Sequence, residues 1–555
     1  MDHLSSVTTV CILFASVLFA RFLLARKTLK FLRGPPSPSW LFGHEYEFFK
    51  EIEVGKLSEP WILEYGSTFR FSGSFGEDVL YLADPRGLQH VLQTSSYHYP
   101  KPRDAQNSLR RIFGNGIVTV DGSTHQRHRK ALNPAFSASQ LKTFLSLFQR
   151  STERLVNKWQ KEYFVKDKDR GYQFVPVTTW FSRLTLDIIG ESAFGYKFGA
   201  LENKETTLSS ILRHLFDDTT GSGLSKVTTF FKALRRELPV DPSFYNPLNP
   251  ETPLLLTRED KRFNRWLEAA ENAAKNILQN NAESGQRGAE EGSKDILSVL
   301  VRSNNVEDPK KRLDDKEVLA QMATIILAGH ETTAGTTSWL FYELSRHPEQ
   351  QQRILEEIDA IKLAKLDAGA DGVLTSHDYD SMPFFNACIK EALRMYAIVI
   401  TLTRCTDRDD VVPLSEPVIS ASGEKLTQIP VKKGQRIIID VTSYNRLKSV
   451  WGEDADKWNP ERFLDSKAQP TIALGVYSNL MTFSAGVRAC IGWRFALQEM
   501  QTILAGLIPA FEFSIDPTAD VFRAQLGGMV PMIRGKETEG PQMPLMVRPR
   551  ALNKA

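Results

Sequence analysis

The chain has 555 residues, 42% apolar and 10% aromatic, and its 69 Lys and Arg against 66 Asp and Glu leave a net charge of +3. So small an imbalance gives no argument for a nucleic-acid partner, and the apolar content supports an extensive core. The four cysteines (Cys11, Cys388, Cys405, Cys490) form no C-x-x-C pair and no dense disulfide framework, which points to a reducing compartment.

Residues 7–25 are a mostly apolar run broken by Arg21, near the lower limit for a bilayer-spanning helix, and Arg26, Lys27, Lys30 and Arg33 follow at once. Basic residues on that flank predict a single-pass anchor over 1–33, with the large body cytosolic and the short N-terminal tail lumenal. A cleaved signal peptide would carry its charge first and end in a small-residue cleavage site. Gly34-Pro35-Pro36-Ser37-Pro38 predicts a stiff, non-helical hinge over 34–40. The remainder, 41–555, reads as one large domain, because its motifs are spread from residue 125 to residue 492 of a continuous chain.

Thr68–Ser72 and Asp78–Leu82 read as short strands. Helical periodicity then dominates, over Ala138–Lys161, Phe181–Phe194, Arg258–Asn281, Lys316–Arg346, Phe384–Met395 and Ile491–Leu507. Strand signals return at Arg436-Ile437-Ile438-Ile439 and near the C-terminus, so the expected class is mostly α with a minor β component. Ala282–Lys294 and Lys365–Ser376 read as exposed loops. Thr228–Leu238 is amphipathic, with Phe230, Phe231, Leu234 and Leu238 on one side and Lys232, Arg235 and Arg236 on the other. It suits either a membrane surface or a helix covering the core.

Four segments carry chemistry. His125-Gln126-Arg127-His128-Arg129-Lys130 is a dense basic turn whose arginines can grip carboxylates bidentately, or simply a solvated patch. In Ala328-Gly329-His330-Glu331-Thr332-Thr333 a mid-helix glycine costs about 1 kcal/mol relative to alanine. The Thr332 hydroxyl there lies one turn from the Ala328 carbonyl and can divert its hydrogen bond, opening a groove for water or a diatomic ligand. A small-residue packing notch with a solvated carboxylate is the alternative. Glu391 and Arg394, three residues apart, share a helix face, and as a surface pair would be worth only a few tenths of a kcal/mol. Phe483-Ser484-Ala485-Gly486-Val487-Arg488-Ala489-Cys490-Ile491-Gly492 sets one cysteine in a glycine-punctuated loop just before a helix. That suits a thiolate holding a metal from one side, with Arg488 bringing positive charge to an anionic cofactor; an inert buried cysteine is the alternative.

Phe483, Gly486, Arg488, Cys490 and Gly492 resemble the haem-binding loop of the cytochrome P450 family, in which these five residue types recur at this spacing. The resemblance covers nearly the whole chain, and it implies that family's fold, with haem b (iron protoporphyrin IX) sandwiched between a long central helix and the cysteine loop. Cys490 would be the proximal ligand, whose electron donation favours O–O cleavage. Ala328–Thr333 is similar to the family's oxygen-binding helix, which implies that Glu331 and Thr332 relay protons to bound oxygen. His330 stands at that motif's variable position, where a pocket-lining residue is expected. Glu391, Arg394 and, in Asn459-Pro460-Glu461-Arg462-Phe463, Arg462 resemble a buried structural triad that supports the loop. Family contacts to the haem propionates imply Arg129, Arg404 and Arg488, with His125 where the family has tryptophan. Arg127 and Lys130, as exposed members of the turn, would steer an acidic electron donor, and residues 228–238 fall where the family places a lid over its substrate channel.

The resemblance thus implies a monooxygenase of the endoplasmic reticulum membrane that hydroxylates a lipophilic small molecule. Electrons would come from NADPH through NADPH-cytochrome P450 reductase, with cytochrome b5 as a second donor. Gly122–Lys130 and Leu184–Gly195 look similar to members from mushroom-forming fungi, many of which decorate terpenoid or sterol skeletons, so a substrate of that class is expected. Fatty acyl or aromatic substrates, a reductase-independent isomerase or dehydratase, and a non-catalytic haem- or lipid-binding protein are the alternatives.

Overall fold

The computed structural model describes residues 27–164, 171–203, 207–216, 225–238, 241, 243–244, 254–283, 295–304, 312–465 and 472–550. The expected anchor segment 7–25 and most of the expected loop 282–294 lie outside the described residues. Among the described residues no helix is long and apolar enough to cross a membrane.

In chain order the strands are β1 (Thr68–Ser72), β2 (Asp78–Leu82), β3 (Gln173–Pro176), β4 (Thr401–Cys405), β5 (Asp410–Ile419), β6 (Lys425–Val431), β7 (Arg436–Asp440), β8 (Phe511–Ile515), β9 (Val521–Gln525), β10 (Met529–Ile533) and β11 (Pro544–Pro549). The helices used below are α1 (Gly122–Leu132), α2 (Leu145–Tyr163), α3 (Val177–Phe194), α4 (Lys226–Glu237), α5 (Asp315–Arg346), α6 (Pro383–Met395) and α7 (Trp493–Ala510). The class is mostly α with a minor β component. The chain divides into two compact units, one drawn from Met1–Ala105, Asp217–Arg258 and Thr401–Tyr444, the other from Gln106–Phe216, Glu259–Ile400 and Asn445–Ala555.

The first unit is built on a sheet of order β1-β2-β7-β4. Every residue of β2 is buried, as a central strand covered on both faces requires. It pairs antiparallel with β1, from Thr68↔Leu82 to Ser72↔Asp78, and parallel with β7. Residues 27–33, expected as the anchor's basic flank, belong to this body. Leu29 and Leu32 are 0% and 1% exposed, and the Leu29 N–H donates to Asp78 Oδ2 at 3.0 Å. A Cβ on Gly34 would lie 1.8 Å from the Arg70 carbonyl oxygen, so the proline-rich stretch begins pressed onto β1.

Helix α4 reverses the expected polarity of 228–238. Its buried residues are Thr229, Ala233 and Arg235, and Arg236 donates to Glu45 Oε1 at 2.8 Å and lies 3.4 Å from Glu77. The arginine side faces acids of this unit instead of water, and Glu45, although desolvated, is held below its ordinary pKa by the Arg236 charge. Phe230 packs edge-on against Phe75.

In the second unit α3 lies against α5, and Gly329 is the reason they approach so closely. A Cβ there would meet Ile189 Cδ1 at 2.7 Å and Cγ1 at 2.9 Å. The helix-interior glycine is therefore filled by the Ile189 side chain. Asp314 starts α5 with a capping box: its carboxylate accepts from the Glu317 N–H at 2.8 Å, and Glu317 returns a bond to the Asp314 N–H at 3.0 Å. Helix α7 packs on α2 through Phe144, Phe148 and Phe495. The helix expected over 138–161 is broken, with Ala138–Lys142 separate from α2, because Thr143 turns its hydroxyl back to the Gln140 carbonyl at 2.7 Å. The sheet β3-β11-β8 and the hairpin β9–β10 complete this unit.

Candidate functional site

The Cys490 loop is a succession of tight turns. A 3-10 turn over Met481–Phe483 leads to Ser484 at φ 58°, and a second spans Gly486–Arg488. The Cys490 N–H donates to the Phe483 carbonyl at 2.8 Å, closing the loop on itself. Helix α7 begins at Trp493, so its positive end and free N–H groups lie next to the sulfur in the chain. Phe483, Ala485 and Ala489 are buried while Cys490 is accessible. That access is to an internal surface: surrounding protein pushes the thiol pKa up by desolvation, opposed by the Gly492 N–H and the Arg129 charge. An accessible sulfur set inside the fold among donors and positive charge is the setting of a ligating thiolate, and on that chemistry the residues fit a haem iron bound from one side.

Helix α1 braces the loop. Arg129 donates through Nη1 to the Ala489 carbonyl and through Nε to Asn133 Oδ1 at 3.1 Å. Arg488 donates through Nε to Asp121 Oδ1 at 2.8 Å, and Gln106 holds the other oxygen of Asp121 at 2.8 Å. His125 is buried on the same helix. Arg127, expected as an exposed steering charge, is instead a bidentate partner of Glu317, at 2.7 and 2.6 Å. His128 accepts from the Gln321 amide at Nδ1 and donates from Nε2 to Glu317, each at 3.0 Å. Burial acts to raise the Glu317 pKa, but the bonds from Arg127 and His128 hold it down at about 2. Lys130 stays accessible. Arg404, on β4 of the first unit, is buried and donates through Nη1 to the Thr403 carbonyl at 2.9 Å.

The structure brings Glu391, Arg394 and Arg462 together. Arg394 donates through Nε to Glu391 Oε2 at 2.7 Å and through Nη2 to Oε1 at 2.8 Å; Arg462 Nε reaches Oε1 at 3.1 Å and the Asn459 N–H reaches it at 2.8 Å. Arg394 also feeds the carbonyls of Asn445 and Ala455, so the triad pins the segment that precedes Arg462 and, through Asn445, the start of the cysteine loop at Met481.

Most of α5 is buried, but Ala328 and Glu331 are accessible and Ile325, Thr332 and Gly335 partly so, giving one accessible strip at helical spacing. Thr332 Oγ1 donates to the Ala328 carbonyl at 2.7 Å, one turn back, and the helix continues unbroken. His330 corrects the expectation of a pocket-lining residue. It is 1% exposed, with Nδ1 2.8 Å from the Ile326 carbonyl and Nε2 2.9 Å from Glu331 Oε1.

Sequence reasoning missed three groups here. Asp121 was detectable as an acid immediately before a helix start, although its carboxylate serves Arg488 and Gln106 rather than a cap. Ser182 donates to Glu331 Oε1 at 3.2 Å. Glu499, fully buried on α7 in the turns after Cys490, has its pKa driven well above the carboxylate range by desolvation, with the Thr333 hydroxyl opposing. Burial thus drives this carboxyl toward its neutral form, and a lone Glu in an apolar helix was the available signal.

A thiolate loop ahead of a helix, a buried Glu-Arg-Arg triad and a long helix with an accessible acid-hydroxyl strip together define a haem-thiolate oxidoreductase. The family profile described as Cytochrome P450 matches residues 33–534. The chain is 32% identical to Cytochrome P450 monooxygenase 128 of Postia placenta over 94% of its own length and 92% of that protein, and 31% identical to Cytochrome P450 monooxygenase 205 of the same fungus over 95% and 94%. It is 29% identical to Cytochrome P450 monooxygenase claU of Ampulloclitocybe clavipes over 98% and 97%. The chain belongs to the cytochrome P450 family. It is a monooxygenase of that family, whose members hold haem, draw electrons from a redox partner and bind small-molecule substrates.

Proposed function

We propose that Cys490 is the proximal ligand of haem b and that the enzyme inserts one oxygen atom of O2 into a lipophilic terpenoid or sterol, using NADPH electrons delivered by a separate reductase, with cytochrome b5 as a second donor. When bound, the haem supplies dioxygen activation, which thiolate electron donation favours. The observation that carries this reading is the accessible Cys490 sulfur on a loop closed by the Phe483 carbonyl and flanked by Arg129. Desolvation, the largest influence on the sulfur, favours the thiol; the Gly492 N–H and the Arg129 charge act the other way, toward the thiolate that iron would bind. Arg129, Arg404 and Arg488, with His125, are the candidates to neutralise the propionates, and Phe483, Gly486 and Gly492 shape the loop around the ring. Thr332, whose hydroxyl hydrogen is committed to the Ala328 carbonyl, presents oxygen lone pairs to the accessible strip, where they accept and pass on a proton held by Glu331. Glu391, Arg394 and Arg462 keep the loop in register and take no part in the chemistry.

The apolar run 7–25 would hold the enzyme on the endoplasmic reticulum, with the body that follows it in the cytosol as one catalytic domain. The apolar content of the strip, Ile325 and Ala328 beside Thr332, suits a greasy skeleton better than a charged one. The test is expression in microsomes with a reductase and mass-spectrometric screening of terpenoids and sterols alongside fatty acids and aromatics. Oxidation confined to fatty acids or aromatics would overturn the substrate class, and product formed from a peroxide without NADPH would overturn the monooxygenase mechanism.

A further inference from the structure

We infer that His330 is a positioning residue that shares one proton with Glu331 beside Thr332 and fixes which way the Glu331 carboxyl is turned. This rests on the reading of the chain as a monooxygenase that must protonate oxygen at α5. The Ile326 carbonyl, 2.8 Å from Nδ1, can only accept, so Nδ1 carries a hydrogen. A neutral ring would then present its Nε2 lone pair to Glu331 Oε1 at 2.9 Å. Two lone pairs at that distance hold together only with a proton between them. The pair therefore carries that proton either as imidazolium with carboxylate or as imidazole with carboxylic acid.

The surroundings keep the pair in place and leave its charge balance to itself. Thr185 of α3 donates to the His330 carbonyl at 3.1 Å, Ser182 donates to Glu331 Oε1 at 3.2 Å, and Ile189 fills the notch at Gly329 one residue away. The charged groups of α3 are turned elsewhere: Asp187 accepts from the Ala200 and Leu201 N–H groups, Glu191 pairs with Arg154, and Arg183 donates to Asn203. On α7, the side chain acting on Glu499 is the Thr333 hydroxyl. The groups acting on His330 are Glu331 and the Ile326 carbonyl, and those acting on Glu331 are His330 and Ser182. The shared proton crosses from Nε2 to Oε1 and is the one Glu331 passes toward Thr332, which leaves Glu331 a carboxylate until water at the accessible strip returns a proton to the pair. The imidazole is left neutral, and no bond between heavy atoms and no electron count changes.

The test is titration of His330 in the full-length haem-loaded protein as its reduced carbonyl complex, using isotope-labelled histidine. His330→Gln identifies the signal by its loss from among the ten histidines. The ring should stay doubly protonated above the ordinary histidine value of about 6.5. In Glu331→Gln it should become neutral at the same pH, because desolvation, the largest influence on it, is then opposed only by the Ile326 carbonyl. The second measurement is peroxide released per NADPH consumed, with reductase and no added substrate, across pH. His330→Gln keeps a donor to Glu331 but cannot hold the second proton, so the peroxide share should rise roughly tenfold and lose its pH dependence, short of the hundredfold typical of losing a general acid outright. A His330 signal that titrates as an ordinary histidine and is unmoved by Glu331→Gln would overturn the inference, as would an unchanged peroxide profile in His330→Gln. Should His330→Gln fail to fold, wild type against Glu331→Gln still decides. A wild-type protein lacking the thiolate-type Soret band would instead overturn the monooxygenase reading, which the titration does not share as a readout.

Discussion

Glu391→Gln removes one charge and almost no volume from the triad, which makes it a sharp test of what that cluster contributes. Glu391 and Arg394 are both 0% exposed, and the two carboxylate oxygens accept four bonds. Glutamine can place its oxygen where three donors converge, from Arg394 Nη2, Arg462 Nε and Asn459 N, but its NH2 then faces Arg394 Nε, donor to donor. The clash leaves a buried N–H unpaired at about 1–3 kcal/mol, and the lost anion leaves the Arg394 guanidinium on carbonyl partners while Asp454 stays paired with Arg462. Breaking a buried ion pair from one side costs about 3–5 kcal/mol, a large part of a typical stability of roughly 5–15 kcal/mol. The expected outcome is a fall of that size from the denaturant midpoint at unchanged slope, followed by the Soret band, together with faster loss of haem. Replacing Glu391 and Arg394 together by apolar residues should not rescue it, because Arg394 also supplies the carbonyls of Asn445 and Ala455. A Glu391→Gln protein within about 0.5 kcal/mol of wild type, the usual scale of a surface change, would refute this account.

Cys490→Ala should abolish the long-wavelength Soret band of the reduced carbonyl complex; a variant that kept it would remove Cys490 as the ligand. Thr332→Ala should keep ligand-induced spectral shifts but divert electrons to peroxide by a factor on the order of ten to a hundred, and unchanged coupling would take Thr332 out of the relay. Glu317, with its folded pKa depressed to about 2, contributes stability that is fully present above the ordinary carboxylate value of about 4.3 and disappears as the pH falls through 2. The gap in denaturation midpoint between wild type and Glu317→Gln should therefore close as the pH is lowered from about 5 toward 2, and a constant gap would contradict the depressed pKa. Gly329→Ala should destabilise, since overpacking Ile189 costs about 1–3 kcal/mol against a gain of about 1 kcal/mol in helix propensity. With Ile189→Ala already in place the same substitution should stabilise, and a thermal melt that shows no change of sign would refute the notch.

What the sequence made legible follows from how local the signal is. The limits of α5 could be read because Asp314 and Glu317 spell a capping box and Pro348 forbids continuation. Strands β1 and β2 were found at their observed residues because two short β-rich runs are separated by a glycine-containing turn. The hairpin β5–β6 was missed because Pro413, Pro417 and Pro430 interrupt both strands and a register shift lies between Pro413 and Val418. The cysteine loop was legible as a five-residue pattern, and the Glu391-Arg394 pair as a helix spacing, but the depth that turns that pair from a minor surface contact into a buried anchor is a property of the folded chain.

The misreadings share one cause: a charged side chain's neighbour in space is usually far away in sequence. Arg127 looked free because Glu317 is 190 positions away, and Arg236 looked solvated because Glu45 is 191 positions away. His330 is the instructive exception, since its partner is the adjacent residue. Neighbours in a helix point about 100° apart, so sequence adjacency argued against their meeting. What joins them is the small room left on α5 where Ile189 occupies the place of a side chain at Gly329, while Thr185 and Ser182 of α3 hold the His330 carbonyl and the Glu331 carboxylate. The glycine that reads as a cost inside the helix thus acts as the seat of α3, which brings the Ser182 hydroxyl onto the Glu331 carboxylate and the Thr185 hydroxyl onto the His330 carbonyl.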